Sequence, residues 1–258
     1  MLPIRDDNPT VHLPIATYVL IGMNLVVWFA VQGYGFDAEA MARSFCLYAL
    51  VPGDLLNTIP AGTQFPVGQN WVCTITPDNP TESLFTSMFM HGGWLHLAGN
   101  MLFLWVFGDN VEDVMGPGRF FIFYTLCGLA ASLTQIATEV SSIVPMVGAS
   151  GAIGGVMGAY AILFPRARVH LYFIFFTLPV PAILMLGYWF ILQVSSGLTS
   201  FNSSGGGVAF WAHIGGFVAG VVFIFFFRNP RMIAARRELN NLRANLRPRR
   251  NSDDTWRR

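Results

Sequence analysis

The sequence predicts an all-α, polytopic membrane protein: a bundle of six transmembrane helices with both termini on the cytoplasmic side. Three observations carry this reading. Hydrophobic residues make up 53% of the chain and charged residues only 11%, with a mean hydropathy of +0.51. A soluble domain is nearer a quarter charged. Six stretches are apolar over close to the roughly 20 residues that a bilayer requires. Finally, all fifteen basic residues are arginines, and they fall almost entirely on one side of those stretches.

The expected spans cover residues 15–32, 84–107, 120–137, 150–164, 169–194 and 208–227, the fourth being short. With the N-terminus inside, Arg5, Arg119, Arg166, Arg168 and the ten arginines from Arg228 to Arg258 lie on the cytoplasmic side, and only Arg43 lies outside. That asymmetry is a positive-inside signal. It makes spans 4 and 6 run from outside to inside. Residues 1–228 read as one six-span domain and residues 229–258 as a basic cytoplasmic tail. A basic segment directly after an apolar helix reads as an anchor on anionic lipid rather than a nucleic-acid arm. The opening stretch MLPIRDDNPTVHLP lacks the basic-then-apolar pattern of a cleavable signal.

Two outer connections stand out. Residues 33–83 form a long loop with Pro, Gly and acids but no apolar span, and loops of that length are commonly functional. Cys46 and Cys73 share it, and they pair if the loop faces an oxidising compartment; the spacing alone leaves both states open. Cys127 sits in an apolar run and reads as packing. Residues 195–207, SSGLTSFNSSGGG, suit a mobile cap.

Polar groups within lipid are costly and mark candidate sites. Ser150 stands between glycines in GASG, which includes Gly148 and Gly151, at the head of a glycine-rich helix. Alone it reads as structural. At a helix start, however, unpaired backbone N–H groups are available to a developing oxyanion. His213, in FWAHIGGFVAG, could be a packing histidine or a general base. His96 and Asn100, in MHGGWLHLAGN, are one helical turn apart and share a face, either as an interhelical network or as paired donors.

Depth favours the chemical readings. Ser150 precedes Arg166 by sixteen residues and His96 precedes Glu112 by sixteen, about 24 Å each at 1.5 Å per residue. His213 precedes Arg228 by fifteen, about 22 Å. All three therefore lie at one level below the outer surface. Gly151 and Gly155, Gly154 and Gly158, and Gly216 and Gly220 are spaced four apart, so spans 4 and 6 can approach at backbone distance. His213 would then take the Ser150 proton in a serine-hydrolase step. No carboxylate lies in either span, which leaves a dyad and nothing evident to orient the imidazole.

These residues resemble the rhomboid family of intramembrane serine proteases, bacterial type, from span 1 to span 6. The specific stretches are GASG, AHIGG and HGGWLHLAGNMLFLWVFGDNVED. The resemblance implies an endopeptidase that cuts single-span or polytopic membrane proteins in or near a transmembrane segment, with Ser150 as nucleophile and His213 as base. It implies oxyanion donors at His96, Asn100 and the Ser150 amide, and close helix packing at Gly148, Gly151, Gly216 and Gly220. Residues 33–83 become the L1 loop, and span 5 a substrate gate. It implies cleavage beside helix-weakening residues, after a small side chain. Neither a cofactor nor a metal is expected, and there is no HExxH pattern. The expected location is a bacterial inner membrane with the site opening outward.

Two features depart from the family pattern. The Trp-Arg pair that many members carry at the end of L1 is absent from NPTESLF, and Gly154 stands where some members place an aromatic against the base. Trp211 or another ring could hold His213 instead. The alternative function is a non-catalytic rhomboid-like protein that binds membrane clients. A transporter would favour inverted repeats, which the sequence lacks.

Overall fold

A computed structural model describes residues 2–68, 70–76, 80–200 and 208–246. In chain order it contains β1 (Leu2–Asp6), α1 (Ile15–Ala30), α2 (Ala38–Tyr48), α3 (Pro52–Leu55), β2 (Gln64–Val67) and β3 (Trp71–Thr74). There follow α4 (Ser83–Thr86), α5 (Trp94–Met115), α6 (Pro117–Thr138), α7 (Ser150–Leu163), β4 (Arg168–Phe173) and β5 (Phe176–Pro181). The remainder is α8 (Ala182–Ser200), α9 (Phe210–Phe227) and α10 (Pro230–Leu246). By length and composition, α6, α8 and α9 can each cross a membrane, and α1 and α7 are shorter apolar helices.

The centre is α7. Eleven of its fourteen residues are buried, and it is enclosed by α5, α6 and α9. A side chain there would keep the neighbouring backbones apart. A Cβ at Gly216 would fall on the Gly151 carbonyl oxygen, and one at Gly220 on that of Gly155. The small-residue spacing thus brings α7 and α9 into backbone contact. Phe107, Phe120, Phe123, Met157 and Tyr160 fill the core around them.

The all-α expectation holds for the bundle and fails outside it. β1, β4 and β5 form an antiparallel sheet in that order, and β2 pairs with β3 in L1. Residues 168–181, of which 169–181 are expected as the first half of span 5, are a hairpin. The stretch is rich in β-branched and aromatic residues, and Pro179 and Pro181 lack the N–H that a helix interior uses. The helix starts only after Pro181. Span 2 also starts late, at Trp94, because Gly92 and Gly93 precede it. It ends at Gly116, whose φ of +84° suits glycine.

L1 is a small folded unit. Asp37 caps α2 by accepting hydrogen bonds from the Glu39 and Ala40 amides, both at 3.0 Å. Phe65, Val67, Cys73 and Ile75 share an apolar cluster with Ala42 and Val51. Cys46 and Cys73 form a disulfide, with Cα atoms 5.3 Å apart.

The opposite end carries the acidic groups of α5. Glu112 is buried and caps α1, which has no cap of its own: its carboxylate accepts the amides of Ala16 (2.9 Å) and Thr17 (2.8 Å) and the Thr17 hydroxyl (2.8 Å). Asp113 accepts from the Val11 and His12 amides and from Arg236 of α10 at 2.5 Å. Arg236 also reaches Asn110 Oδ1 at 2.6 Å and lies over the Phe164 ring. The expected tail is therefore tied to the bundle through a buried arginine. Residues 247–258 of that tail, 201–207 of the expected cap, and 69 and 77–79 of L1 lie outside the described residues. Residues 195–200 of the expected cap are the last turn and a half of α8.

Candidate active site

Ser150 is the first residue of α7. Ala149 precedes it and offers no side chain to cap the helix, so the first amides of α7 are left for another acceptor. The approach to Ser150 is held by L1. Leu50 and Met146 exchange backbone hydrogen bonds (3.0 and 2.7 Å), the Gly53 amide donates to Ser142 O (2.9 Å), and the Thr58 hydroxyl donates to Val140 O (2.7 Å). Gly148 then donates to Ser87 O at 2.9 Å.

His213 lies in the first turn of α9. That turn also lacks a cap of its own, and Gln135 of α6 supplies one by accepting the Ala212 amide at 3.1 Å. With α7 and α9 in backbone contact, Ser150 Oγ and His213 Nε2 are 2.8 Å apart. The other ring nitrogen, Nδ1, is 2.8 Å from Gln193 Oε1 on α8.

His96 and Asn100 line the same cavity as Ser150 and His213, a space of about 1010 Å³ that also borders L1 through Phe45 and Pro52. His96 Nδ1 accepts the Gly92 amide at 3.3 Å, which leaves Nε2 as the N–H donor. Gly148 has φ +130°, and a Cβ there would meet His96 Cε1 and Nε2 at 2.8 and 2.9 Å and Ser150 Oγ at 3.5 Å. The imidazole edge and the hydroxyl thus converge over a residue that must be glycine. Asn100 is buried, and its Nδ2 has no hydrogen-bond partner among the described residues. A buried free donor costs stability unless something fills its place. Together these groups form a hydroxyl–imidazole pair facing a set of N–H donors.

All four expected site residues line one cavity; of the packing glycines, Gly148 makes room for His96, and Gly151, Gly216 and Gly220 stand where side chains would separate α7 from its neighbours. A Cβ at Gly154 would meet His213 O at 3.1 Å, so a ring there would require α9 to give by a few tenths of an ångström. A ring does stand beside the base, but it is that of Trp189 on α8, with centroids 5.9 Å apart. Sequence reasoning missed Gln193, Trp189 and Gln135. The available signal was a long amide within an apolar run, with Trp189 one turn before Gln193. Gln32 was also missed: its amide group holds both the N–H (2.9 Å) and the C=O (2.7 Å) of His91, whose ring packs edge-on against His96. Among the described residues, no three His, Cys, Asp or Glu side chains are grouped to hold a metal ion.

The family model of the Rhomboid domain matches residues 79–230. The chain is 33% identical over 150 residues to Rhomboid protein 1, mitochondrial, of Saccharomyces cerevisiae, covering 55% of this chain and 40% of that protein. It is 37% identical over 139 residues to Rhomboid protease GluP of Bacillus subtilis, covering 53% and 24%. It is 35% identical over 77 residues to Putative rhomboid protease YdcA of the same species, covering 30% and 38%. The chain therefore spans less than half the length of the curated relatives it matches. The matched region includes α5 to α9 and every candidate site residue; L1 before residue 79, β1 and most of α10 fall outside it.

Proposed function

The chain belongs to the rhomboid family, and on that premise we propose that it is an intramembrane serine endopeptidase working by a Ser150–His213 dyad. It is an integral membrane protein, as its family and apolar helices indicate. In this reading the chain crosses the bilayer six times, with β1 and α10 on the cytoplasmic face and the cavity opening to the other side. In a bacterial cell that bilayer would be the inner membrane. The arginine asymmetry and the disulfide in L1 support this orientation.

The observation that carries the reading is the 2.8 Å approach of Ser150 Oγ to His213 Nε2 in a cavity with unused N–H donors. Ser150 Oγ bonds to the scissile carbonyl carbon as its proton passes to Nε2. The carbonyl oxygen becomes an oxyanion and accepts hydrogen bonds from His96 Nε2, Asn100 Nδ2 and the uncapped amides of α7. Collapse breaks the C–N bond, and the imidazolium protonates the leaving amine. Water, giving its proton to His213, then hydrolyses the acyl-serine and restores Ser150. Substrates are membrane proteins whose spans unwind locally, because a helical peptide bond is shielded from attack. Cleavage is expected beside Gly or Pro, after a small side chain.

Fluorophosphonate labelling tests this reading. Ser150 Oγ would displace fluoride from phosphorus with its proton passing to His213. Label on the solubilised wild type but on neither Ser150→Ala nor His213→Ala is the expected result. No label on folded wild type, under conditions that label a known rhomboid, would turn the reading to a client-binding protein without catalysis. Equal label on Ser150→Ala would mean a different nucleophile.

A further inference from the structure

We infer that Gln193 is a positioning residue for the dyad, and that it makes the competence of His213 depend on where α8 stands. The inference rests on the protease reading above. Gln193 Oε1 lies 2.8 Å from His213 Nδ1. A carbonyl oxygen only accepts hydrogen bonds, so the contact requires the proton on Nδ1. Neutral imidazole then has its lone pair on Nε2, the nitrogen 2.8 Å from Ser150 Oγ. The other tautomer would present an N–H to the hydroxyl and could not take its proton. Gln193 thus occupies the place an aspartate fills in a triad, without adding a charge to an apolar region where an unpaired carboxylate would be costly.

Among the described residues, the rest of the surroundings does not do this work. From α7, His213 meets Ser150; from α6, Gln135 holds the adjacent Ala212 amide but not the ring. His96 of α5 acts on the ring only through space. From α8, Trp189 packs beside the imidazole and Gln193 bonds to it.

The location of Gln193 adds a consequence. Only Ala182, Leu186 and Gly197 of α8 are buried, whereas α7 is buried along almost its whole length. The start of α8 is tied to the bundle by hydrogen bonds from Ala182 N to Ala167 O (2.8 Å) and from Ile183 N to Pro165 O (3.1 Å). Beyond that anchor it meets α9 through the rings of Trp189 and Phe190 on Phe217, through Gln193 on His213, and through Gly197, where a Cβ would touch Trp211, Ile214 and Phe210 at 3.3–3.5 Å. An outward swing of α8 about its anchored end withdraws the acceptor from Nδ1. The base is then fully oriented only when α8 is seated.

The test uses the full chain in detergent with the fluorophosphonate probe, comparing wild type, Gln193→Met and Gln193→Glu across pH. Gln193→Met keeps the bulk and removes the acceptor; labelling is expected to slow about ten- to a hundredfold. Gln193→Glu keeps an acceptor and should restore the rate at neutral and higher pH. Its acid limb should move to higher pH, because the new carboxylate favours the imidazolium. A purely structural role would not produce that displacement. Equal rates and superimposable pH profiles for wild type and Gln193→Met would overturn the inference. A second readout is independent of reactivity: imidazole 15N shifts in histidine-labelled protein, assigned with His213→Ala. Nδ1–H in wild type, lost as the sole tautomer in Gln193→Met, supports the inference, and Nε2–H in wild type overturns it. Unlabelled wild type would sink the protease reading, while the tautomer would still decide the role of Gln193.

Discussion

Asn100 and Gly148 show how single residues set the chemistry. The Asn100 amide is buried and its Nδ2 donates to nothing among the described residues. Its role under the proposed mechanism is to meet charge that exists only in the transition state. Asn100→Ala should therefore lower the cleavage and labelling rates by about 10²–10³, the usual effect of losing one oxyanion donor. The melting temperature should fall little or rise, since an unpaired polar group has been removed from the interior. An unchanged rate with normal folding would remove Asn100 from the site. Gly148 acts by what it lacks: without a Cβ, the His96 edge and the Ser150 hydroxyl can share the space above it.

At the scale of elements, L1 and the segment entering α7 form one mechanical unit. The disulfide closes a loop with a sequence separation of 27, and Leu50, Gly53 and Thr58 of L1 bond to the backbone at residues 140–146. Opening a loop of that size restores chain entropy worth about 3.6 kcal/mol. Cys46→Ser with Cys73→Ser should lower the melting temperature and slow labelling several-fold, without abolishing it. Unchanged labelling would separate L1 from the nucleophile. L1 also shows why part of the site was hard to read. The glycine spacing of α7 and α9 was legible because small residues four apart have one efficient use, close helix contact. The pairing of Cys46 with Cys73 was not, because it depends on β2 and β3 bringing them together. The ring beside His213 came from a different helix than Gly154, so its position depended on the packing of α8.

Across the whole molecule, polarity divides the two ends: N–H donors and aromatic rings at the cavity, acids and arginines at the α10 face. The apolar runs made the helices of the bundle legible. The sheet was not, since residues 168–181 are apolar enough to pass for the start of a span. That sheet carries a prediction. Asp6 of β1 is hydrogen-bonded by the Tyr160 hydroxyl and by Asn110 Nδ2. Burial raises its pKa above the ordinary 3.8, against the lowering effect of the Tyr160 hydrogen bond. A carboxyl with a raised folded-state pKa holds its proton more tightly when docked. Its stabilising effect is complete below pH 3.8 and is lost as pH rises through the folded value. The melting temperature of wild type relative to Asp6→Asn should decline over that interval and level off above it. A constant difference would mean that Asp6 titrates normally.

The sheet also bears on how the protein is made. β1 pairs with β4 in a register that sets Leu2 opposite Tyr172. At synthesis rates of about 5–20 residues per second, β1 waits roughly ten to thirty seconds for its partner to emerge. Under the proposed six-span topology α1, α5, α6 and α7 insert in that time, and the pairing closes only if β4 arrives on the side where β1 was left. A misdirected helix would strand the two on opposite sides of the bilayer. On that proposed topology the sheet would serve as a proofreading step in biogenesis, its closure recording that an even number of crossings separates β1 from β4.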